Sequence, residues 1–543
     1  MKQYFKPSPL EHGFVRIFSQ PHTRDIEALP SCLSGVETSN YYFLCRYFHE
    51  PVSGEELLTQ LQKLQDIDAA SSTYGCMRWY WEEPCIRDTN GAFFVLKPLA
   101  MAMQFCREQI PAREQEFICS MLHTARRWFC NECRHYGLFY SNKITSDGAM
   151  LAIIGVILQD RETIKEAERF WNIWLEYTYR YGWGWGENTS ACYYSIIVEA
   201  LDLALSAFSP SSELYQNIFD ARSILLRYRA FHDGMEFIPS IRSYNFEGNP
   251  KNTYRVDVCA ESYEGLKNQN GSISYSNLAA LILHRLSPVY HPPAQKETFR
   301  RERIFKDSYA VTYKGENIRL GTVSHFPVMP GCYQNDGWGL GWQSMPVSVL
   351  AVRHGISFLR YASRCQGKLR THPAYQKHEA YLSPSLFADQ NIPEVDIVCH
   401  QHKHTAVVVK KMRHIANQTA YLADEWYLPS FSGKCLEYRG WFVLHYGDCL
   451  LAVRPMGGTA QYVRDKDNAR IVQTLYEGEE TLLVRRQWIT CWAVAVLDYP
   501  ENWRTQLDQT DVSVEFMEDL CIPRETKPFR LCCGEASLEY DPS

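Results

Sequence analysis

The apolar residues of this chain change their spacing once, at a proline-bearing segment, and that change limits the possible folds more than any other feature. Before RLSPVYHPPAQKETFRRER, residues 285–303, they recur every three or four positions; beyond it they recur every second position. Pro288, Pro292 and Pro293 break both helix and central strand, so the segment is a natural domain boundary. The spacing predicts helices over 55–67, 92–107, 114–133, 145–158, 161–180, 190–208, 212–229 and 276–286. Short connections between successive helices imply antiparallel hairpins, and no TPR- or ankyrin-type repeat marks a regular solenoid. The expected architecture is an α+β multidomain chain. An N-terminal (α/α) toroid, an incomplete barrel of helical hairpins over 1–290, precedes a C-terminal antiparallel β-sandwich over 291–543. The strands are expected in DSYAVTYK, NIRLGTVSH, TAVVVKK, GWFVLHYGDCLLAVRP, EETLLVRR and ITCWAVAVLD.

Composition narrows the classes of function. The 543 residues carry 56 Lys and Arg against 62 Asp and Glu, a formal charge of −6. No overall basic field exists to hold nucleic acid or an anionic membrane, and neither partner is expected. The 14 Trp, 34 Tyr and 26 Phe exceed what core packing asks for in Tyr and Trp, which suits surfaces that stack on flat, polar ligands such as sugars. The odd count of 19 Cys, scattered through apolar segments, suits free thiols in a reducing compartment. The start MKQYFKPSPLEHGF lacks an apolar signal-peptide core, so the expectation is a cytoplasmic protein, or a secreted or periplasmic one whose leader has been removed. Walker A, GxSxG and HExxH motifs are absent, as is a dinucleotide-type GxGxxG after a strand, which disfavours the chemistries they carry.

Five stretches could carry chemistry. RWYWEEPCIRDTNGAFF, residues 78–94, sets Arg78, Trp79, Trp81, Arg87, Asp88 and Asn90 in a non-periodic run before a helix. Such loops form sites, although the tryptophans could equally anchor the loop and Arg87 could pair with Asp88. In YRYGWGWGENTSACYYS, residues 179–195, three glycines open the chain around Trp183 and Trp185. Thr189 or Ser190 is expected to cap the helix that carries Tyr193 and Tyr194. Glu187, Asn188 and one tyrosine would then stand at a helix N-terminus, where a phenol's pKa is lowered. LFYSNKITSDGAM, residues 138–150, places Asn142 in a polar break before an apolar helix. SHFPVMPGCYQNDGWGLGWQS, residues 324–344, offers His325, Tyr333 and Asn335 among glycines and aromatics, as a site loop or as a packed seam. CHQHKHT alternates His400, His402 and His404, which one strand would display on one face, suited to a structural zinc ion or simply solvated.

Together, a helical toroid before an antiparallel sandwich, an Asn in a helical loop and a Glu-x-x-Ser-x-x-Tyr-like helix start resemble the polysaccharide lyases of the heparinase II/III and alginate lyase type. In this sequence the pattern reads Glu187, Ser190 and Tyr193, with Asn142 upstream. The resemblance implies β-elimination on a uronate polysaccharide, with no required cofactor and an anionic polysaccharide or oligosaccharide as substrate. Asn142, Asn188 and Arg78 are donors of the kind that neutralise the uronate carboxylate, and Tyr193 or Tyr194, with His325 as partner, could move the protons. Trp79, Trp81, Arg87, Asp88, Asn90, Trp185, Glu187, Tyr333 and Asn335 would line the substrate cleft. Two other readings stay open: a glycosidase on the same toroid using Asp88 and Glu187 as paired carboxylates, and a non-catalytic carbohydrate-binding protein.

Overall fold

A computed structural model of the chain describes all residues except 20, 22, 139, 183–185, 242, 244, 246–247, 251–256, 258, 260–262, 268–270, 294–295, 306, 328–344, 366, 372–393, 414–417, 430, 467, 484–486, 500, 516–527 and 543. It divides into two compact units. The first comprises Met1–Arg180, Tyr193–Arg227 and Tyr254–Pro293; the second comprises Tyr181–Cys192, Tyr228–Thr253 and Ala294–Ser543.

The first unit is helical, apart from a small hairpin of β1 (Val15–Ile17) and β2 (Cys32–Ser34). Its helices are α1 (Gly35–Phe48), α2 (Gly54–Gln62), α3 (Gly91–Phe105), α4 (Ala112–Arg134), α5 (Ser141–Leu158), α6 (Arg161–Tyr181), α7 (Tyr194–Ala207), α8 (Glu213–Phe231) and α9 (Tyr275–Leu286). The odd-numbered helices close a ring: α1 packs on α3, α3 on α5, α5 on α7, α7 on α9, and α9 back on α1. These inner helices are buried on nearly every side, as the run from Ala149 to Ile154 in α5 shows. The outer helix α4 buries a single stripe, Ile118, Met121, Leu122, Ala125 and Phe129, at the spacing expected of a helix with one wet face. Gly148 lets α6 approach α5, because a Cβ there would stand 2.1 Å from the Phe170 ring. The indole N–H of Trp171 donates to the Gly148 carbonyl at 3.2 Å.

Ring closure rests on polar contacts as well as packing. Ser34 caps α1 by accepting from the Glu37 amide. The Glu37 carboxylate in turn accepts from the amide of Tyr275 at 2.8 Å and the hydroxyl of Ser276 at 2.5 Å, the first turn of α9. Lys97 of α3 pairs with Glu199 of α7 on the far side of α5, so charge fills the middle of the ring. The sequence reading found eight of these helices and passed over α1. Its residues are buried all round and show no stripe; the capping pair Ser34 and Glu37 was its one readable signal.

The second unit is built of antiparallel sheets. A seven-stranded sheet runs β13 (Lys434–Tyr438), β14 (Trp441–His445), β15 (Leu450–Pro455), β18 (Gln487–Leu497), β11 (Thr405–Arg413), β10 (Glu394–His402) and β6 (His325–Pro327). A nine-stranded sheet runs β16 (Gln461–Arg464), β17 (Asn468–Leu482), β12 (Gln418–Pro429), β8 (Gly355–Cys365), β7 (Val347–Ala351), β5 (Ile318–Val323), β4 (Ser308–Lys314) and β3 (Phe299–Phe305), with β9 (Lys368–Thr371) beside β8. The two face each other, as the Gln401 amide of β10 shows by donating to the Leu320 carbonyl of β5 at 3.0 Å.

A third sheet of β19 (Val512–Glu515), β20 (Phe529–Cys533) and β21 (Ala536–Tyr540) extends the expected sandwich. Its Phe529, Leu531 and Cys533 pack with Val407, Val409, Ile489, Cys491 and Ala493 of the seven-stranded sheet. That sheet is therefore covered on both faces, which is why β11 and β18 read as nearly unbroken apolar runs.

Between the large sheets lies buried charge. Lys410 of β11 donates to Asp424 of β12 at 2.5 Å, and the other Asp424 oxygen accepts from the Thr490 hydroxyl at 2.6 Å and the Trp492 indole at 2.9 Å. On the opposite face of β12, Arg360 of β8 donates to Glu425 at 2.6 Å and lies over the Tyr427 ring. No helix among the described residues is long and apolar enough to cross a membrane.

Candidate active site

Connections at the two ends of the helical ring differ in length. At the C-terminal ends of the inner helices they are short, 49–53, 106–111, 159–160 and 208–212, whereas 63–90 and 232–274, which lead into α3 and α9, are long. Successive antiparallel hairpins make the inner helices parallel to one another, so their N-terminal ends share one face of the unit. Long connections with their own polar side chains are where sites are built.

Several candidate residues of the first unit meet on that face. Asn90 is the N-cap of α3 and donates its side-chain amide to Asp88 at 2.8 Å and to the Tyr140 hydroxyl at 3.4 Å. Tyr140 is the N-cap of α5, and Asn142 is the second residue of that helix, 4% exposed. Asn142 thus lies inside the helix rather than in a break before it. Tyr193 is the N-cap of α7 and Tyr194 its first residue. The expected cap at Thr189 or Ser190 is displaced: the Ser190 hydroxyl instead accepts from the Cys192 amide at 3.3 Å, and the helix starts only at Tyr194. Because α5 and α7 pack side by side, Asn142 and Tyr193 stand at neighbouring helix heads, about 8–10 Å apart at the axes.

The two tyrosines are not equivalent. Tyr194 is fully buried and its hydroxyl donates to the Asp257 carboxylate at 2.5 Å. Tyr193 keeps 7% exposure at the very end of the helix.

The rest of the 78–94 loop is more structural than its composition suggests. Trp79 is 9% exposed, packs with Ile26, Cys32, Tyr80 and Phe94, and donates its indole N–H to the Asp88 carbonyl at 3.1 Å. It belongs to the core of the loop and is not a platform. Arg78 holds the loop shut by donating to the carbonyls of Glu83 at 2.6 Å and Lys63 at 2.8 Å. Arg87 pairs with Asp25 at 2.8 Å, not with Asp88, whose Oδ1 closes a turn onto the Asn90 amide. Trp81, 39% exposed, is the aromatic ring of this loop that solvent reaches.

Other candidates fall in the second unit. Gly182, with φ of 103°, lies against β3, where a Cβ would stand 2.7 Å from the Ile304 carbonyl carbon. The turn that follows buries Glu187 completely. Trp183, Trp185, Tyr333 and Asn335 lie outside the described residues, as does the side chain of Asn188. His325 starts β6 and is exposed, its carbonyl accepting from Ser308 at 2.7 Å.

The three histidines of CHQHKHT are not brought onto one strand face. The strand ends at His402, Lys403 turns with φ of 47°, and His404 lies in the hairpin turn. His400 accepts from the Ser537 amide at 3.0 Å and His402 stands 3.3 Å from Glu535. Burial, with His402 and Arg301 nearby, holds His400 below the usual imidazole range. Among the described residues no group of three or more His, Cys, Asp or Glu side chains converges to hold a metal ion.

The sequence reading missed one cluster in the first unit. Asp202 of α7 pairs with Arg222 of α8 at 2.5 Å and with the Nδ1 atom of His284 of α9 at 2.8 Å. The Cys259 thiol also lies near His284 and, with Asp202, favours its charged form. No local pattern marks these residues, because each comes from a different element.

No family model matches the chain, and no curated protein matches it in sequence. Among solved structures the chain is similar to heparinase III, with 8% identity, a TM-score of 0.47, and coverage of 94% of this chain and 84% of that one. A chondroitin AC lyase variant from Streptomyces coelicolor has 10% identity and a TM-score of 0.44, with 92% and 78% covered. The heparan sulfate lyase HepC from Pedobacter heparinus has 9% identity and a TM-score of 0.38, with 93% and 82% covered. Every one of these scores is below 0.5, so the fold rests on the helix ring and the strand order themselves.

Proposed function

We propose that the protein is a polysaccharide lyase that cleaves a uronate-containing chain by β-elimination and leaves a 4,5-unsaturated uronate. What supports this reading is that Asn142 and Tyr193 lie at the starts of two inner helices that pack side by side, one an amide and the other a phenol. The C5 proton of a uronate becomes removable only when charge on the neighbouring carboxylate is offset, which amide donors and the positive ends of helix dipoles do without any metal. Asn142 supplies such a donor, while the amide of Asn90, donating to Asp88 and Tyr140, ties the heads of α3 and α5 together on the same face. Tyr193 takes the C5 proton as base and returns one to the departing C4 oxygen. Tyr194, committed to Asp257, fixes the start of α7.

The test is a screen of alginate, glucuronan and glycosaminoglycan polymers for new ultraviolet absorbance from the unsaturated product, followed by four variants on whichever polymer is cleaved. Tyr193→Phe is expected to lower kcat by about 10²–10⁴-fold. Asn142→Ala is expected to lower it by about 10²–10³-fold. Full activity in both would overturn the assignment. A saturated reducing end, together with inactive Asp88→Asn and Glu187→Gln, would replace it with a glycosidase.

A further inference from the structure

Lysines meet carboxylates inside both units, and the surroundings of each pair differ. In the helical unit, Lys97 pairs with Glu199, and Lys143 of α5 stands 2.6 Å from both Glu132 and Asp147. Burial lowers the Lys143 pKa, but the two carboxylates outweigh burial and raise it above the usual lysine range. In the sheet unit, Lys410 of β11 stands 2.5 Å from Asp424 of β12, and the two side chains are 1% and 0% exposed. Burial here outweighs the attraction of Asp424 and of the nearby Glu425, and Lys410 is held below the usual range. The hydrogen bond between the two is a route for a proton to pass from ammonium to carboxylate, leaving a neutral amine against a neutral acid.

The other oxygen of Asp424 is held for a second purpose. Oδ2 accepts from the Thr490 hydroxyl at 2.6 Å and from the Trp492 indole at 2.9 Å. Two fixed donors on one carboxyl oxygen stabilise the charge that develops there when a nucleophile adds to the carbon. Lys410 and Thr490 are register partners in β11 and β18, so nucleophile and donor approach Asp424 from the same sheet. Thr490 and Trp492 are fully buried, and the Tyr361 ring lies 5.7 Å from the Lys410 Nζ atom, so the reacting groups stand away from bulk water. Among the described residues, neither Glu199 nor Asp147 has a side-chain donor besides its lysine.

We propose that Lys410 and Asp424 condense into an intramolecular amide bond, a self-modification that ties the seven-stranded sheet to the nine-stranded sheet. The Lys410 nitrogen adds to the Asp424 side-chain carbon while Thr490 and Trp492 hold Oδ2. A C–N bond forms, the C–Oδ1 bond breaks, and Oδ1 leaves as water with two of the three ammonium protons. The third proton stays as the amide N–H, and no oxidant or cofactor is consumed. This inference does not rest on the lyase reading.

The experiment is the intact mass of the whole chain, purified folded and measured after denaturation, followed by tryptic peptide mapping. The expected mass is one water, about 18 Da, below that of the sequence. Trypsin is expected to spare Lys410 and to release a branched peptide joining residues 404–411 to 414–434, with fragment ions placing the branch at Lys410 and Asp424. Lys410→Arg is expected to restore the full sequence mass. A chain at full sequence mass, or one whose lost water maps to another pair, would overturn the proposal. The unsubstituted chain decides this alone if Lys410→Arg does not fold.

Discussion

The two units bury carboxylates to different ends. In the sheet unit, Asp424 accepts from Lys410, Thr490 and Trp492, three buried side-chain donors. In the helical unit, Asp202 holds Arg222 and His284, and His284 lies near a half-buried thiol; Asp257 likewise ends on Tyr194 at the head of α7. A saturated carboxylate is a fastener between strands. One whose contacts run on to a group that is only partly buried leaves a proton or a nucleophile for something else to use.

Four measurements can break or sharpen that contrast. Removing one partner of a fully buried pair leaves the other charge uncompensated, so Lys410→Met is expected to destabilise the sheet unit by about 3–5 kcal/mol in urea unfolding. Lys410→Met combined with Asp424→Leu should recover part of this, leaving the Thr490 and Trp492 donors unsatisfied at a cost of about 1–3 kcal/mol each. If the single variant is no weaker than the double one, Asp424 is not the fastener described. Trp79→Ala should lower stability of the helical unit by about 3–5 kcal/mol, as truncation of a core aromatic does, while Trp81→Ala should barely move the melting temperature.

The third measurement is pH dependence. The His284 pKa, raised to about 10 from an ordinary 6.5, contributes stability that is fully present below about 6.5 and is lost as the pH rises through about 10. A melting-temperature profile of the whole chain is expected to fall across that interval and to flatten in His284→Gln. The smallest effect belongs to Arg87→Ala, whose partner Asp25 lies at the surface; no measurable change in melting temperature is expected.

Much of this architecture was legible because period and burial are tied together. Outer helices such as α4 show the stripe that one wet face requires, and the prolines at 288, 292 and 293 mark where a three- to four-residue spacing of apolar residues gives way to a period of two. Elements covered on every side lose that signal, which is why α1 was passed over and why the small sheet of β19 to β21 had no reading at all. Trp79 was misjudged for a related reason: a non-periodic run can hold its own small core, and nothing in the order of residues separates that ring from Trp81. Asn142 and Tyr193 were readable as candidates, but their shared face comes from the parallel order of inner helices, which is a property of the ring. The path from Asp202 to Cys259 needs α7, α8, α9 and the segment before α9 to be packed before it exists, so no stretch of sequence contains it.

The contact of Glu37 with Tyr275 and Ser276 also sets a timetable for synthesis. These partners are 238 and 239 residues apart, and α1 packs directly on α9. At about 5–20 residues per second on the ribosome, the first helix waits on the order of 12–48 s before the last inner helix is even made. During that interval α1, α3, α5 and α7 present an open, apolar edge, and the nascent chain cannot reach its final packing however quickly its individual hairpins form. The helical unit is thus obliged to finish late, and slowing translation before residue 275 should lengthen the exposure of that edge to holding chaperones and to proteases.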